Sequence, residues 1–287
     1  MRITSPANPR FKFALRLREA RFRRRQGKFL VDGKREIARA LLAGLELETL
    51  FVPLESEASA AELWGELLVA AGGEESQRDS ATDRREERFG SQLEAALLAV
   101  PGGLLDRLAY GQRREDWVAQ FKTPGWELES LELPSCPLIV VLDRLEKPGN
   151  IGAILRSADA AGADAVLICD GSDDLFHPNI IRASSGVVFQ LPIRQTTTEA
   201  AQQWLRSRGI CMLATRVDAE CTLWDADWRK PTAILVGNEA EGLSDSWRSQ
   251  DIDPVRVPMA GMADSLNASV TTAICLFEAV RQRRGPS

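Results

Sequence analysis

The sequence predicts an α/β protein of two domains, the larger built on a mostly parallel sheet with helices on both faces. Three observations predict it. From residue 138 onward continuous apolar runs alternate with helical patterns; residues 28–53 read as strand, helix, strand; and between these regions residues 123–137 carry Pro124, Pro134 and Pro137, as a linker would. With 287 residues, 44% of them hydrophobic, the chain can bury cores for two domains of ordinary size. The predicted boundary falls at residues 133/134, giving domains 1–133 and 134–287.

In chain order, residues 29–31 form a short apolar strand. Ile37, Ala38, Ala40, Leu41 and Leu42 make a helical stripe that Gly44 stops, and Leu50, Phe51 and Val52 resume a strand. A helix is expected over 63–71. The next twenty residues, 72–91, are polar, charged and without apolar periodicity, which predicts an exposed insertion. A helix near 92–99 and a strand over 117–121 complete the first domain. In the second, strands are expected at 138–142, 165–169, 187–193, 210–214, 232–236 and 255–259, and helices at 150–162, 178–184, 198–208 and 267–284. There are no internal repeats.

The net charge of −5 conceals an asymmetry: residues 1–40 hold thirteen Lys and Arg against three acidic residues, a local +10. Clustered arginine is the footprint of a phosphate contact, because it releases condensed counterions, although a solvated charged helix would look similar. The five cysteines are odd in number, lack C-x-x-C spacing and mostly sit in apolar runs, which suits buried thiols in a reducing cytoplasm. No apolar run approaches the length needed to span a bilayer, and the N-terminus lacks a signal-type apolar core, so no membrane association is expected.

Three separated segments, 142–163, 234–244 and 257–274, place glycine and small polar residues where apolar runs end. In α/β proteins these are ligand loops, and three together suggest one composite site. No G-x-G-x-x-G occurs, which argues against a dinucleotide site. Gly237 and Gly242 have phosphate-loop spacing, but Leu243 stands where the lysine must be. His177 is the only histidine, so a multi-histidine metal site is excluded and no metal is expected. Taken singly, the polar residues of these segments have ordinary structural readings. Asn150 could cap a helix starting at Ile151, Ser265 and Asn267 could cap the last helix, and Glu239 could be a solvated loop charge. Arg156 falls close to the stripe Ile151, Ile154, Leu155 and Ala158, where a guanidinium needs a partner.

Together the segments resemble the three motifs of the SPOUT superfamily, specifically the SpoU/TrmH-like RNA ribose 2′-O-methyltransferases. The residues that carry the resemblance are PGNIGAILRSADAAGA, GNEAEGLS and VPM followed by SLNAS, with RASSG at 182–186 between the first two; it covers about residues 137–284. It implies a C-terminal deep trefoil knot, which the general absence of knots would never predict. It also implies S-adenosyl-L-methionine bent in that knot and held mainly by loop backbone. By motif position, Gly237, Val257 and Leu266 should touch the cofactor, with Thr215, Met259, Ser265 and Ala268 nearby.

The family's catalytic arginine corresponds to Arg156. A guanidinium, with an ordinary pKa above about 12, stays protonated, which favours phosphate anchoring over general-base catalysis. Asn150 and Asn267 would position ribose and arginine, Glu239 would orient Asn150 or pair with an arginine, and Ser265 completes the catalytic set. More weakly, residues 1–53 are similar to the α/β substrate-binding domain of such enzymes. That likeness implies structured RNA, ribosomal RNA ahead of transfer RNA, contacted by Arg23, Arg24, Arg25, Lys28 and Arg35, with Arg182 of RASSG added. A homodimer through the knot domain is implied as well. Two alternatives stay open: a non-catalytic RNA-binding or ribosome-assembly protein of this fold, and a SPOUT enzyme that methylates a base.

Overall fold

The structure is a computed structural model and describes residues 2–56, 60–71, 93–111, 116–171 and 174–284. It divides into two compact units: Met1–Pro124 with Phe176–Gln190, and Gly125–Leu175 with Leu191–Ser287. The sequence-based boundary at 133/134 differs from this division. Leu128 and Leu131 are buried in the second unit's core, and Arg194 Nε donates to the Glu127 carbonyl at 2.7 Å, so the Pro-containing stretch packs rather than links. Apolar side chains spaced between the prolines explain the difference. The proposed insertion, 72–91, lies outside the described residues.

The first unit is a four-stranded sheet of β1 (Lys28–Asp32), β2 (Leu47–Pro53), β3 (Leu97–Val100) and β4 (Val118–Lys122), in the order β1-β4-β2-β3. Strand β4 runs antiparallel to β1 and β2, whereas β2 and β3 are parallel. Helices α1 (Pro9–Arg16), α2 (Ala20–Gln26), α3 (Lys34–Leu42), α4 (Ala60–Ala70) and α5 (Gly102–Leu108) accompany it. Two of the helix ends show their local cause. Asn8 caps α1 by accepting from the Arg10 amide, with Pro9 at the first helical position, and α2 ends at Gly27 in the left-handed region, φ 58°. Phe11, Phe22, Leu30, Phe51 and Leu105 share one core.

Two expected elements differ. Of the expected helix 92–99, residues 93–96 are helical and 97–100 become β3, because a short apolar run fits either period and pairing with β2 decides. Residues 187–189, expected in a strand, form a 3-10 turn after Gly186, φ 80°, and the strand proper is Ile193–Thr196. That turn belongs to the first unit: Phe176 stacks on Phe29 at 4.2 Å between centroids, and Phe189 on Phe29 at 6.0 Å.

The second unit carries β5 (Leu138–Asp143), β6 (Ala165–Cys169), β7 (Ile193–Thr196), β8 (Cys211–Thr215), β9 (Thr232–Val236) and β10 (Ile252–Val255), with helices α6 (Pro148–Ala161), α7 (Thr198–Ser207) and α8 (Ala268–Arg284). All strand pairs are parallel, in the order β10-β8-β9-β5-β6-β7. Every residue of β5, β6 and β9 is buried, which is why these strands read as unbroken apolar runs rather than alternating ones. Strand β10 occupies 252–255 instead of the expected 255–259. It contains Pro254, tolerated because β10 is an edge strand. Because the strands are parallel, β5, β9, β8 and β10 end at one edge, and all three sequence segments emerge there.

Candidate active site

The loops at that edge enclose a cavity of about 500 Å³, within the usual range of small-ligand pockets. Thr215, Gly237, Val257, Met259, Ser265, Leu266 and Ala268 all line it, so seven residues from the ends of β8 and β9 and from the stretch after β10 meet at one place. The loop after β9 explains how the wall can be so thin. Asn238 and Gly242 exchange backbone hydrogen bonds, 3.1 and 2.8 Å, and a Cβ on Gly237 would overlap the backbone of Gly242 and Leu243. Glycine at 237 is therefore a steric requirement. Thr215 donates its hydroxyl to the Leu235 carbonyl at 2.8 Å, which fixes the adjoining wall.

Beside the cavity lies a chain of polar side chains. Asn267 Oδ1 accepts from the Ser269 amide at 2.9 Å and the Ser269 hydroxyl at 2.7 Å, so Asn267 caps the start of α8. With its oxygen committed, its Nδ2 donates to Asn150 Oδ1 at 3.2 Å, and Asn150 Nδ2 donates to Glu239 Oε1. This relay joins all three segments. The capping role expected of Asn267 is present and compatible with it. Asn150 caps nothing: the helix begins at Pro148 with Lys147 as its N-cap, which leaves the Asn150 amide free for the relay.

Sequence inspection missed the braces beneath this relay. Asp143, fully buried at the end of β5, accepts from the Ser244 amide at 2.7 Å and the Thr198 hydroxyl at 3.3 Å, with Arg144 Nε at 3.6 Å. Asn238 Nδ2 donates to the Arg144 carbonyl at 3.0 Å while its Oδ1 accepts from the Ala240 amide at 2.8 Å. These two residues tie the first segment to the second. The available signal was a carboxylate closing the otherwise apolar run LIVVLD, where a charge needs partners.

Arg156 is not on the core stripe. It is exposed on α6, with no side-chain hydrogen bond or ion pair among the described residues. Six residues separate it from Asn150, about 9 Å of rise and about 120° of turn, so the two do not share a helix face. The RNA candidates also separate. Arg24 and Arg25 are exposed, but Arg23 is only 4% exposed and donates to the Leu17 and Arg18 carbonyls at 2.7 and 2.6 Å. It locks α2 to the preceding turn and presents no surface charge. Lys28 pairs with Glu48 at 2.7 Å, Arg35 with Glu36 at 2.6 Å and Arg182 with the buried Asp32, lying also over the Tyr110 ring. Among the described residues no cluster of His, Cys, Asp or Glu could hold a metal ion.

Fold and site define a class: α/β proteins whose small-molecule pocket is woven from loops at the ends of parallel strands, with an amide–carboxylate relay at its rim. Residues 137–277 match the SpoU rRNA methylase family and residues 8–77 match the MRM3-like substrate binding domain. A 23S rRNA (uridine(2479)-2′-O)-methyltransferase from Streptomyces viridochromogenes is 34% identical over 98% of this chain and 92% of its own length. A solved RNA 2′-O ribose methyltransferase is 40% identical, with TM-score 0.76 over 99% of both chains. The SpoU methyltransferase AviRb from Streptomyces viridochromogenes, in complex with AdoMet, is 31% identical, with TM-score 0.80 over 98% of this chain and 100% of its own. The chain belongs to the SpoU rRNA methylase family. Its α/β fold is accordingly that of the SPOUT proteins with a C-terminal trefoil knot.

Proposed function

We propose that the protein transfers a methyl group from S-adenosyl-L-methionine to a ribose 2′-hydroxyl of structured RNA, with ribosomal RNA the favoured substrate. The observation that carries this reading is the Asn267–Asn150–Glu239 relay at the rim of the 500 Å³ cavity. The cavity suits the donor. Val257, Met259 and Leu266 offer apolar surface, and Gly237 lets backbone amides and carbonyls approach a ligand closely. When bound there, the donor supplies an electrophilic methyl on a sulfonium, which leaves as a thioether once the ribose oxygen has taken the methyl.

The residues of the chain then have little to do beyond alignment and charge control. Asn150 and Asn267, each held in one orientation by the relay, present fixed hydrogen-bonding groups to a ribose, and Glu239 sets the direction of the Asn150 amide. Arg156, exposed and uncommitted, anchors a phosphate of the substrate and orients the hydroxyl, whose proton passes to phosphate or water. Part of the same reading is a homodimer formed through the knot domain. It is supported by Val270, Ile274 and Phe277, which stand exposed at helical spacing along α8. A cytoplasmic location goes with it, supported by five free cysteines.

The test is incubation with labelled S-adenosylmethionine and 23S rRNA transcripts or ribosomal particles, followed by digestion to nucleosides. A labelled 2′-O-methyl nucleoside is expected, and Arg156→Ala should lower its formation at least a hundredfold while leaving cofactor affinity within about twofold. Label on a base, or undiminished turnover by the variant, would overturn the assignment.

A further inference from the structure

Six of the seven tryptophans are buried or half-buried, but Trp224 is 59% exposed. The turn that carries it is nonetheless anchored on both sides of the tryptophan. Thr222 Oγ1 donates to Asp225 Oδ2 at 2.6 Å, and the Leu223 amide donates to the Arg256 carbonyl at 2.9 Å. The carbonyl of the buried Leu223 accepts from the indole of the fully buried Trp228 at 2.7 Å, and Arg283 of α8 donates to the Trp228 carbonyl at 2.9 Å. An indole held out from a rigid turn is pre-organised for a partner, because little conformational freedom remains to be lost on contact.

The neighbouring charge indicates what partner. Thr222 bridges Arg256 in parallel fashion, and the Arg256 amide donates to the Cys221 carbonyl at 3.0 Å, so the two segments run side by side. The Arg256 side chain is exposed and has no hydrogen-bond or ion-pair partner among the described residues. The next residue, Val257, lines the cavity, and so does Val217 at the start of the loop that carries Trp224. An exposed indole two residues from the Thr222–Arg256 bridge, and an uncommitted guanidinium next in sequence to a residue that lines the cavity, match the way single-stranded RNA is held: a base stacked on the ring, a phosphate on the arginine.

We propose that Trp224 and Arg256 form a substrate-RNA contact at the mouth of the catalytic pocket, Trp224 stacking an unpaired base near the target ribose and Arg256 binding an adjacent phosphate. This rests on the methyltransferase reading above and adds to it a contact in the catalytic unit itself, separate from the basic N-terminal helices.

The experiment uses the full-length protein, labelled S-adenosylmethionine and 23S rRNA transcripts. Trp224→Ala should weaken RNA binding and raise the RNA KM roughly 5- to 100-fold, as loss of one stacked base would. Trp224→Phe should restore most of it, and both variants should keep wild-type cofactor affinity. Arg256→Gln should lower the salt dependence of RNA binding by about one ion. If the wild type labels RNA and Trp224→Ala has unchanged RNA affinity and KM, the contact is overturned and the methyltransferase reading stands. If the wild type labels no RNA, that reading fails and the contact with it. Dissociation of a wild-type dimer by Trp224→Ala, seen by sedimentation, would make the patch a protein interface and likewise overturn it.

Discussion

Gly237 is the residue on which the pocket geometry turns, since its missing side chain is what lets the two ends of one loop pass in contact. Gly237→Ala should therefore force the loop open. Cofactor affinity, measured by calorimetry, is expected to fall at least tenfold, while Gly162→Ala, at a helix end with open space around the Cβ, should lower thermal stability without a comparable loss of affinity. Equal affinity in the wild type and Gly237→Ala would show that the loop relaxes without cost. Residues such as Gly237, Asn150 and Asn267 were legible in the sequence because each sits in a motif whose parts constrain one another. Arg23 was not. In a run of three arginines nothing local distinguishes the one whose guanidinium turns inward to two helix-end carbonyls, and its partners, Leu17 and Arg18, contribute only backbone. Asp143 escaped notice for a related reason, as its partners Thr198 and Ser244 lie 55 and 101 residues away.

At the scale of elements, α8 has two apolar faces where a surface helix has one. Its Ala268, Cys275, Leu276 and Ala279 are buried, against α6 and β9 among other neighbours, and burial pushes the Cys275 thiol up to about 12, so it stays protonated at neutral pH. Opposite, Val270, Ile274 and Phe277 are 45%, 36% and 51% exposed. Because these three add little to the fold of one chain, Phe277→Asp should convert the proposed dimer to a monomer at micromolar concentration in sedimentation equilibrium. The expected loss of monomer stability is no more than about 0.5 kcal/mol. A dimer that persists in the variant would place the interface elsewhere. Most elements were readable from the sequence because the central parallel strands are buried along their length and nearly all apolar, and because a glycine such as Gly162 marks a helix end. The misreadings at 97–100 and 187–189 share a cause: three or four apolar residues fit strand and helix alike, and sheet pairing in one case, the left-handed Gly186 in the other, decided the outcome.

For the molecule as a whole, the net charge of −5 is the sum of +10 over residues 1–40 and −15 over the remainder, which holds 23 basic and 38 acidic residues. An acidic protein that binds RNA must do so through a confined basic surface, and its affinity must then respond steeply to salt. Several cations of that region pair with carboxylates, Lys28 with Glu48, Lys34 with Glu66 and Arg35 with Glu36, and the basic side chains of α2 that reach the surface include Arg24 and Arg25. Arg25 lies 5.4 Å from the Phe22 ring, a contact that holds its guanidinium near the helix rather than free in solvent. Reversing both charges, Arg24→Glu with Arg25→Glu, removes two phosphate contacts, so the slope of log affinity against log salt should fall by roughly 1.4 to 1.8. RNA affinity at low salt should drop by two orders of magnitude or more, with cofactor affinity unchanged because the pocket belongs to the other unit. Filter binding over a range of potassium chloride concentrations measures both quantities, and an unaltered slope would remove α2 from the RNA-binding surface. Arg23→Glu should behave differently: burying a carboxylate against the Leu17 and Arg18 carbonyls costs stability, so it should lower the melting temperature before any effect on RNA can be read.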